Sequence, residues 1–536
     1  MEIFSVKDLN FTYPNMQEKA LNDVSFAVKR GEFCVICGQS GCGKTTLLKL
    51  LKPQSAPHGE MNGDIFFFSN NIKLCSEEDT AFKIGYVSQN PENQIVTDTV
   101  LHELAFTLEN MGMPSDEINI RISETATYFG LSKIIEQKTN SLSGGQMQLL
   151  NLASVAVAEP DVLILDEPAS QLDPVSAENF FTILNKLNKD LGITVIITEH
   201  RLEKLFPIAD KIIVMDHGKI ICDSKPRETS VNLCKISKNH PMMLAMPVPV
   251  RLFNATSSKN KCPITVKEGR ELFAECCDYN STLENKALVN NSNNEVLSVK
   301  NVYFRYEKKS EDVLLGFDLS VNKGEIFSVV GANGSGKSTL LSIIGSRLKP
   351  YRGKVKVNGK IATMPQNPYL LFVKDSLLED FKTVSNNIDK INELCGKFNL
   401  AHLLNHHPFD LSGGEIQRAG FVKLLLLDPE ILLLDEPTKG CDSFSKIELA
   451  NILKSLSNKG LTILLVTHDL DFSAEVSTAC AMLFNGTLSP RLEPHKFFCG
   501  KRFYTTSANK ISRGIKDGII TTDELILSVR GQEYEH

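Results

Sequence analysis

Apolar positions fall into two sets of short, nearly continuous runs. FCVIC (33–37), VLIL (162–165) and TVIIT (194–198) lie in the first half, and IFSVV (326–330), ILLL (431–434) and TILLV (462–466) in the second. Runs of this length, apolar at nearly every position, predict strands buried on both faces, as in a parallel sheet covered by helices. TLLKLL (46–51) and TLLSII (339–344) follow the first run of each set and predict helix starts. The most apolar stretches, Leu149 to Ala158 and Phe421 to Leu434, are short or broken by Asn, Ser, Lys, Asp and Pro. Neither approaches the roughly 18 apolar residues that a membrane-crossing helix needs, so none is expected.

The two sets belong to a tandem duplication. The first copy reads Tyr13, GQSGCGKT from Gly38, Gln89, LSGGQ from Leu142, VLILDEP from Val162 and His200; the second reads Tyr306, GANGSGKS from Gly331, Gln366, LSGGE from Leu411, ILLLDEP from Ile431 and His468. Gly38 and Gly331 lie 293 residues apart, Gln89 and Gln366 277, Ser143 and Ser412 269, and His200 and His468 268. The second copy is therefore shorter on both sides of its glutamine, and those segments are expected to be tolerant surface. The expected division is a first domain over 1–228, an accessory segment over 229–294, a second domain over 295–490 and a tail over 491–536. In the accessory segment, MMLAMPVPVRLF has apolar-proline patches, TVKEGRELFAECC reads as a helix, and only the NNSNN end reads as a free linker.

Composition narrows the class. With 536 residues, several cores are expected, and 42% hydrophobic with 23% charged residues excludes wholesale disorder. The net charge of −6 gives no electrostatic reason to expect a nucleic-acid partner. Glu2, Lys7 and Asp8 interrupt the start where a secretory signal needs an apolar core, so the chain is expected to stay in the cytosol. Its 13 cysteines are then expected to be reduced, with no metal or redox role for Cys34 and Cys37 and no glycosylation at Asn254 or Asn290.

Both GxxxxGK[ST] segments stand between a predicted strand and a predicted helix. There the glycines let the backbone curl and aim its N–H groups at phosphate oxygens. The first loop comprises Gly38, Gln39, Ser40, Gly41, Cys42, Gly43, Lys44, Thr45 and Thr46, and the second Gly331, Ala332, Asn333, Gly334, Ser335, Gly336, Lys337, Ser338 and Thr339. Lys44 and Lys337 are expected to neutralise the β and γ phosphates of ATP, with the hydroxyls of Thr45 and Ser338 on Mg2+. Asp166 and Asp435, at the ends of apolar strands, are expected to hold the same ion, and Glu167 and Glu436 to orient and deprotonate the attacking water. His200 and His468 each follow a further strand and are expected to contact the γ-phosphate. Cys42 lies inside its loop, where Lys44 could lower its pKa; a tolerated small residue is the favoured reading over redox control.

With LSGGQ and LSGGE present as well, the chain resembles the ATP-binding cassette ATPases over roughly residues 1 to 225 and 295 to 488. The resemblance implies an α/β fold of two tandem nucleotide-binding domains, each with a RecA-like P-loop core, a helical subdomain and an antiparallel β subdomain, paired head to tail around two ATP molecules. Ser143, Gly144, Gly145 and Gln146 would then face an ATP held by the second half, and Ser412, Gly413, Gly414 and Glu415 one held by the first. It further implies adenine stacking on Tyr13 and Tyr306, Mg2+ contact by Gln89 and Gln366, and hydrolysis at both sites. SQLD (170–173) resembles the loop that crosses the dimer interface, and its counterpart KGCD places Cys441 where Leu is usual.

The first half is most similar to the ATPase subunits of energy-coupling-factor importers. The segments that carry this are YVSQNPENQIVTDTVLHELAF (86–106), SLSGGQMQLLNLASVAVAEPDVLILDEPASQLDP (141–174) and EHRLE (199–203). That resemblance implies a transmembrane coupling subunit and small substrate-binding membrane subunits as partners, a place on the cytoplasmic side of the cell membrane, and a vitamin or metal ion as cargo. Glu92 could attract a basic residue of the coupling subunit, whereas the second copy has Tyr369 there. Two alternatives stand beside this reading. A soluble tandem cassette acting on ribosomes or nucleic acid would be expected to carry a charged helical hairpin, and the fused ATPase of a sugar importer often lacks one catalytic motif.

Overall fold

The computed structural model describes residues 1–14, 16–237, 239–256, 261–278 and 294–529. Asn290 and most of the NNSNN stretch lie outside the described residues. The chain divides into two compact units, Met1–Val250 with Asn260–Thr265, and Arg251–Lys259 with Val266–His536.

The first unit is built around a six-stranded sheet in the order Lys219–Ser224, Lys211–Asp216, Phe33–Gly38, Thr194–Thr198, Val162–Asp166, Ile84–Val87. Every pair is parallel except the first two strands. Phe33–Gly38, Val162–Asp166 and Thr194–Thr198 are buried at every position, which is why their sequences show no alternation. A second, antiparallel sheet has the order Leu21–Lys29, Glu2–Thr12, Glu60–Phe67, Asn70–Asn71, with Val6 opposite Phe26 on one side and Ile65 on the other. Helices Val100–Asn110, Ser115–Tyr128 and Gly144–Ala156 form the helical part.

The second unit repeats this plan. Its six-stranded sheet runs Ile361–Met364, Ile431–Asp435, Thr462–Thr467, Ile326–Val330, Ala479–Phe484, Thr487–Leu488, again with one antiparallel pair at its end. A three-stranded antiparallel sheet has Glu295–Phe304 between Leu314–Asn322 and Arg352–Val357. The segment missing between loop and glutamine corresponds to the strand Asn70–Asn71 and the helix Glu77–Lys83 of the first copy, which have no counterpart here.

The accessory segment is shared between the units. Helix Pro226–Ile236 packs on the strand Lys219–Ser224, and Arg227 Nη1 donates to the Cys262 carbonyl at 2.7 Å. Helix Val266–Cys276 packs instead on Ser507–Ser512 of the tail. There Asp278 N–H donates to Ser528 O and Lys516 Nζ to Asp278 O, both at 2.9 Å. Phe497, Phe498 and Ile520 of the tail bury themselves against Val330 and Cys480 at the edge of the second core. No described helix is long and apolar enough to cross a membrane.

Candidate functional site

The strand Phe33–Gly38 runs straight into the first glycine loop, and the helix Lys44–Leu50 leaves it. Gly43 has φ +97°, and a Cβ there would stand 2.5 Å from the Ala20 carbonyl oxygen, so both conformation and space demand glycine. The loop closes on its own lysine: Lys44 Nζ donates to the carbonyls of Gly38 and Gln39, both at 2.9 Å. The second loop does the same, with Lys337 Nζ donating to Gly331 O at 2.8 Å and Ala332 O at 2.9 Å. Each ammonium is thereby held at the loop mouth, at a helix start.

Asp166 ends its strand beside this loop. Its Oδ1 accepts from Thr45 Oγ1 at 3.2 Å and from Thr198 Oγ1 at 2.8 Å. Burial raises its pKa against these hydroxyls and against Lys44. In the second copy burial raises Asp435, the Ser338 hydroxyl opposes the shift, and Asp435 Oδ1 is buried without a hydrogen-bond partner among the described residues.

Glu167 and Glu436 sit one residue past the strand ends in the left-handed region, with φ +44° and +49°. A glutamate there is strained by about 1 kcal/mol or more, and the surroundings hold it: Glu167 N–H donates to Thr198 O at 3.1 Å, and Glu436 N–H to Val466 O at 2.9 Å. The structure brings each glutamate to its histidine. Glu167 Oε1 lies 2.8 Å from His200 Nε2, and Oε2 accepts from Gln89 Nε2 at 2.9 Å. Glu436 Oε2 lies 2.9 Å from His468 Nδ1, and Oε1 lies 3.4 Å from Lys337 Nζ. Burial pushes Glu436 up, but His468 and Lys337 outweigh it and the carboxyl ends below its ordinary range. The glutamines differ, because Gln366 is exposed and makes no bond to Glu436.

At the signatures, Ser143 and Ser412 start the helices Gly144–Ala156 and Gly413–Leu425. Ser143 N–H donates to Gln146 Oε1 at 2.9 Å and Gln146 N–H to Ser143 Oγ at 3.3 Å. Glu415 changes the second cap: its Oε2 takes both the Ser412 N–H at 2.8 Å and the Ser412 hydroxyl at 2.6 Å. Tyr13 and Tyr306 are placed alike, each hydroxyl 2.9 Å from the threonine after its loop, Thr46 and Thr339, and each ring edge-on to a phenylalanine, Phe11 or Phe304.

Cys42 departs from the activated thiol that its sequence position allowed. It is buried, and burial raises its pKa more than Lys44 lowers it. Cys34 and Cys37 are also buried, and burial pushes Cys37 up to about 12.

Sequence reasoning missed Glu199. Between Thr198 and His200 it is buried, its Oε1 accepts the Ala169 N–H at 2.7 Å, and burial raises its pKa to about 8, with Glu167 adding to the shift. The triplet TEH drew attention to its histidine alone, and an acidic residue at a strand end gives no sequence sign of full burial. A carboxyl whose folded pKa lies above its ordinary value of 4.5 contributes stability below pH 4.5 that is lost as pH rises through about 8. Glu199→Gln is therefore expected to raise the melting temperature relative to wild type at pH 8 and to leave it nearly unchanged at pH 4.5. Equal shifts at both values would contradict this.

Two copies of a glycine loop, a buried aspartate and a glutamate–histidine pair at the ends of parallel strands define a tandem P-loop ATPase. The ABC transporter family model matches residues 21–170 and 314–439. A Bacillus anthracis protein named as an ABC transporter ATP-binding protein is 39% identical over 534 residues, covering 95% of each chain. YkoD of Bacillus subtilis, named as an HMP/thiamine import ATP-binding protein, is 30% identical over 519 residues, covering 93% of this chain and 92% of its own. Among solved structures, the archaeal ribosome recycling factor aABCE1, in complex with the ribosomal stalk protein aP1, matches with a TM-score of 0.58 and 20% identity over 92% of each chain, a likeness of fold alone. The chain belongs to the ABC transporter family: it is an ATP-binding subunit and an ABC transporter ATPase.

Proposed function

We propose that this chain drives an importer of the energy-coupling-factor type, carrying a vitamin or a metal ion through separate membrane subunits from the cytoplasmic side of the membrane. The observation that carries this is the likeness to YkoD along 93% of this chain and 92% of its own. HMP or thiamine is accordingly the first cargo to test.

Each loop would receive the β and γ phosphates on its N–H groups, with Lys44 or Lys337 turning from loop carbonyls to phosphate oxygens and Tyr13 or Tyr306 against adenine. Glu167 and Glu436, held by His200 and His468, would each accept the proton of the attacking water. Magnesium fits this donor set, since Asp435 presents a buried oxygen without a partner among the described residues. Thr45, Gln89 and Asp166 would hold it in the first copy, and Ser338, Gln366 and Asp435 in the second; when bound it supplies charge neutralisation on the β and γ phosphates. Ser143 to Gln146 and Ser412 to Glu415 would complete the opposite copy's site in head-to-tail pairing. Ser412 would have to leave Glu415 to reach a phosphate, so the two sites are chemically unequal.

The likeness to the 20% identical tandem-cassette structure is one of fold alone and does not favour a ribosome-directed role. Uptake of labelled thiamine, HMP, cobalt and nickel by cells lacking this chain tests the proposal. Uptake of one of them should be lost and restored by the wild-type chain; unchanged uptake of all four would contradict each of these cargoes.

A further inference from the structure

The first cassette has a cleft beside a buried acid, and the repeat offsets give that acid a counterpart in the second cassette. In the first, a cleft of about 510 Å³ is lined by Lys52, Tyr86, Gln94, Glu103, Phe106 and Ser154 among others. Glu103 is only 4% exposed, and Oε2 accepts the N–H groups of Val96 and Thr97 and the Thr97 hydroxyl at 3.1, 2.9 and 2.8 Å. Among the described residues Oε1 takes no donor, and no lysine or arginine pairs with this carboxylate. Among the described residues the one cation lining the cleft is engaged elsewhere: Lys52 Nζ donates to the carbonyls of Thr80, Ala81 and Ile84 at 2.8, 2.6 and 2.6 Å.

Asp380 stands 277 residues after Glu103, the separation of Gln89 and Gln366, and Lys423 stands 269 after Ser154, the separation of the signature serines. Asp380 is fully buried and likewise accepts two backbone N–H groups, from Val373 and Lys374. Here, however, Lys423 Nζ reaches Asp380 Oδ1 at 2.6 Å, also donates to the Leu371 carbonyl, and lies 5.2 Å from the centre of the Phe372 ring. Beside it, Tyr369 stacks on Phe409 at 5.2 Å where the first copy has Glu92. The acid is common to both copies, and only the second supplies its own cation.

We propose that Lys423 is a built-in counterion that decides which segment of the membrane subunit each cassette receives. The first cleft takes a segment bearing a lysine or arginine, whose cation completes Glu103. The second cassette takes a segment without one, because Lys423 already holds Asp380. A buried carboxylate left without a cation favours a partner that brings one, and a second cation beside Lys423 would be repelled. This rests on the importer reading.

The test places a photo-crosslinking residue at Phe106, 45% exposed in the first cassette's cleft, or at Leu370, 73% exposed and next to Leu371, whose carbonyl Lys423 reaches. The tagged full chain is isolated from membranes of its own cells, and the crosslinked segments are identified by mass spectrometry. Crosslinks from 106 should fall on a segment containing Lys or Arg, and those from 370 on one without. Ser154→Lys should lower the first about tenfold, the scale of one charge-assisted contact, and spare the second. Glu103→Gln, which keeps an oxygen acceptor for the three donors, should lower the first as well, and ATP binding should be unchanged in both variants. Crosslinks from both positions to the same segment, or no response to either substitution, would overturn the role of Lys423 while leaving the importer reading intact. No crosslink to any membrane protein from either position would overturn the importer reading itself.

Discussion

Glu436→Gln is expected to lower ATP hydrolysis at the second site by about 100-fold or more while ATP remains bound, and Glu167→Gln should do the same at the first. A positioned general base contributes roughly 100- to 10,000-fold, and the glutamine amide keeps the shape without accepting a proton. Glu436 is well prepared for the role: His468 and Lys337 hold its carboxyl ionised although burial opposes this. Glu167 is gripped differently, by His200 and Gln89 together. The check is steady-state phosphate release together with ATP retained after rapid gel filtration. Full turnover in either variant would mean that its site does not hydrolyse ATP in the wild-type protein.

Lys337→Ala is expected to weaken ATP binding at the second site by about 10- to 100-fold, the scale of a charge-assisted phosphate contact of roughly 1.5–3 kcal/mol. It should also slow hydrolysis there beyond the loss in binding. The ammonium is bonded to Gly331 and Ala332 and stands 3.4 Å from Glu436, so its removal slackens the loop and withdraws a positive charge that favours the ionised base. Titration with a fluorescent ATP analogue in a chain whose first loop carries Lys44→Ala, compared with the doubly substituted chain, reads the second site alone. Equal affinity in the two would contradict the assignment of Lys337 to phosphate.

The parallel sheets were legible because a strand buried on both faces has no room for alternation, so FCVIC and VLIL announce themselves. The repeat offsets located the segment that the second copy lacks, and the structure fills it in the first with Asn70–Asn71 and Glu77–Lys83. The two glutamates were legible as residues but not as conformations: nothing in DEP states that the residue after the aspartate adopts a positive φ, which depends on the neighbouring strand. Glu199 was hidden because its raised pKa comes from tertiary burial, and the Lys423–Asp380 pair because its partners are 43 residues apart. The tail carries no motif, and its placement depends on tertiary packing: Phe497, Phe498 and Ile520 find their core against Val330 and Cys480 of the second sheet.

The most direct test of the account is to isolate the tagged full chain from detergent-solubilised membranes of its own cells and identify what accompanies it by mass spectrometry. Recovery of a helical coupling protein together with small membrane proteins is the result predicted for an energy-coupling-factor ATPase. Recovery of ribosomes with no membrane protein would contradict it.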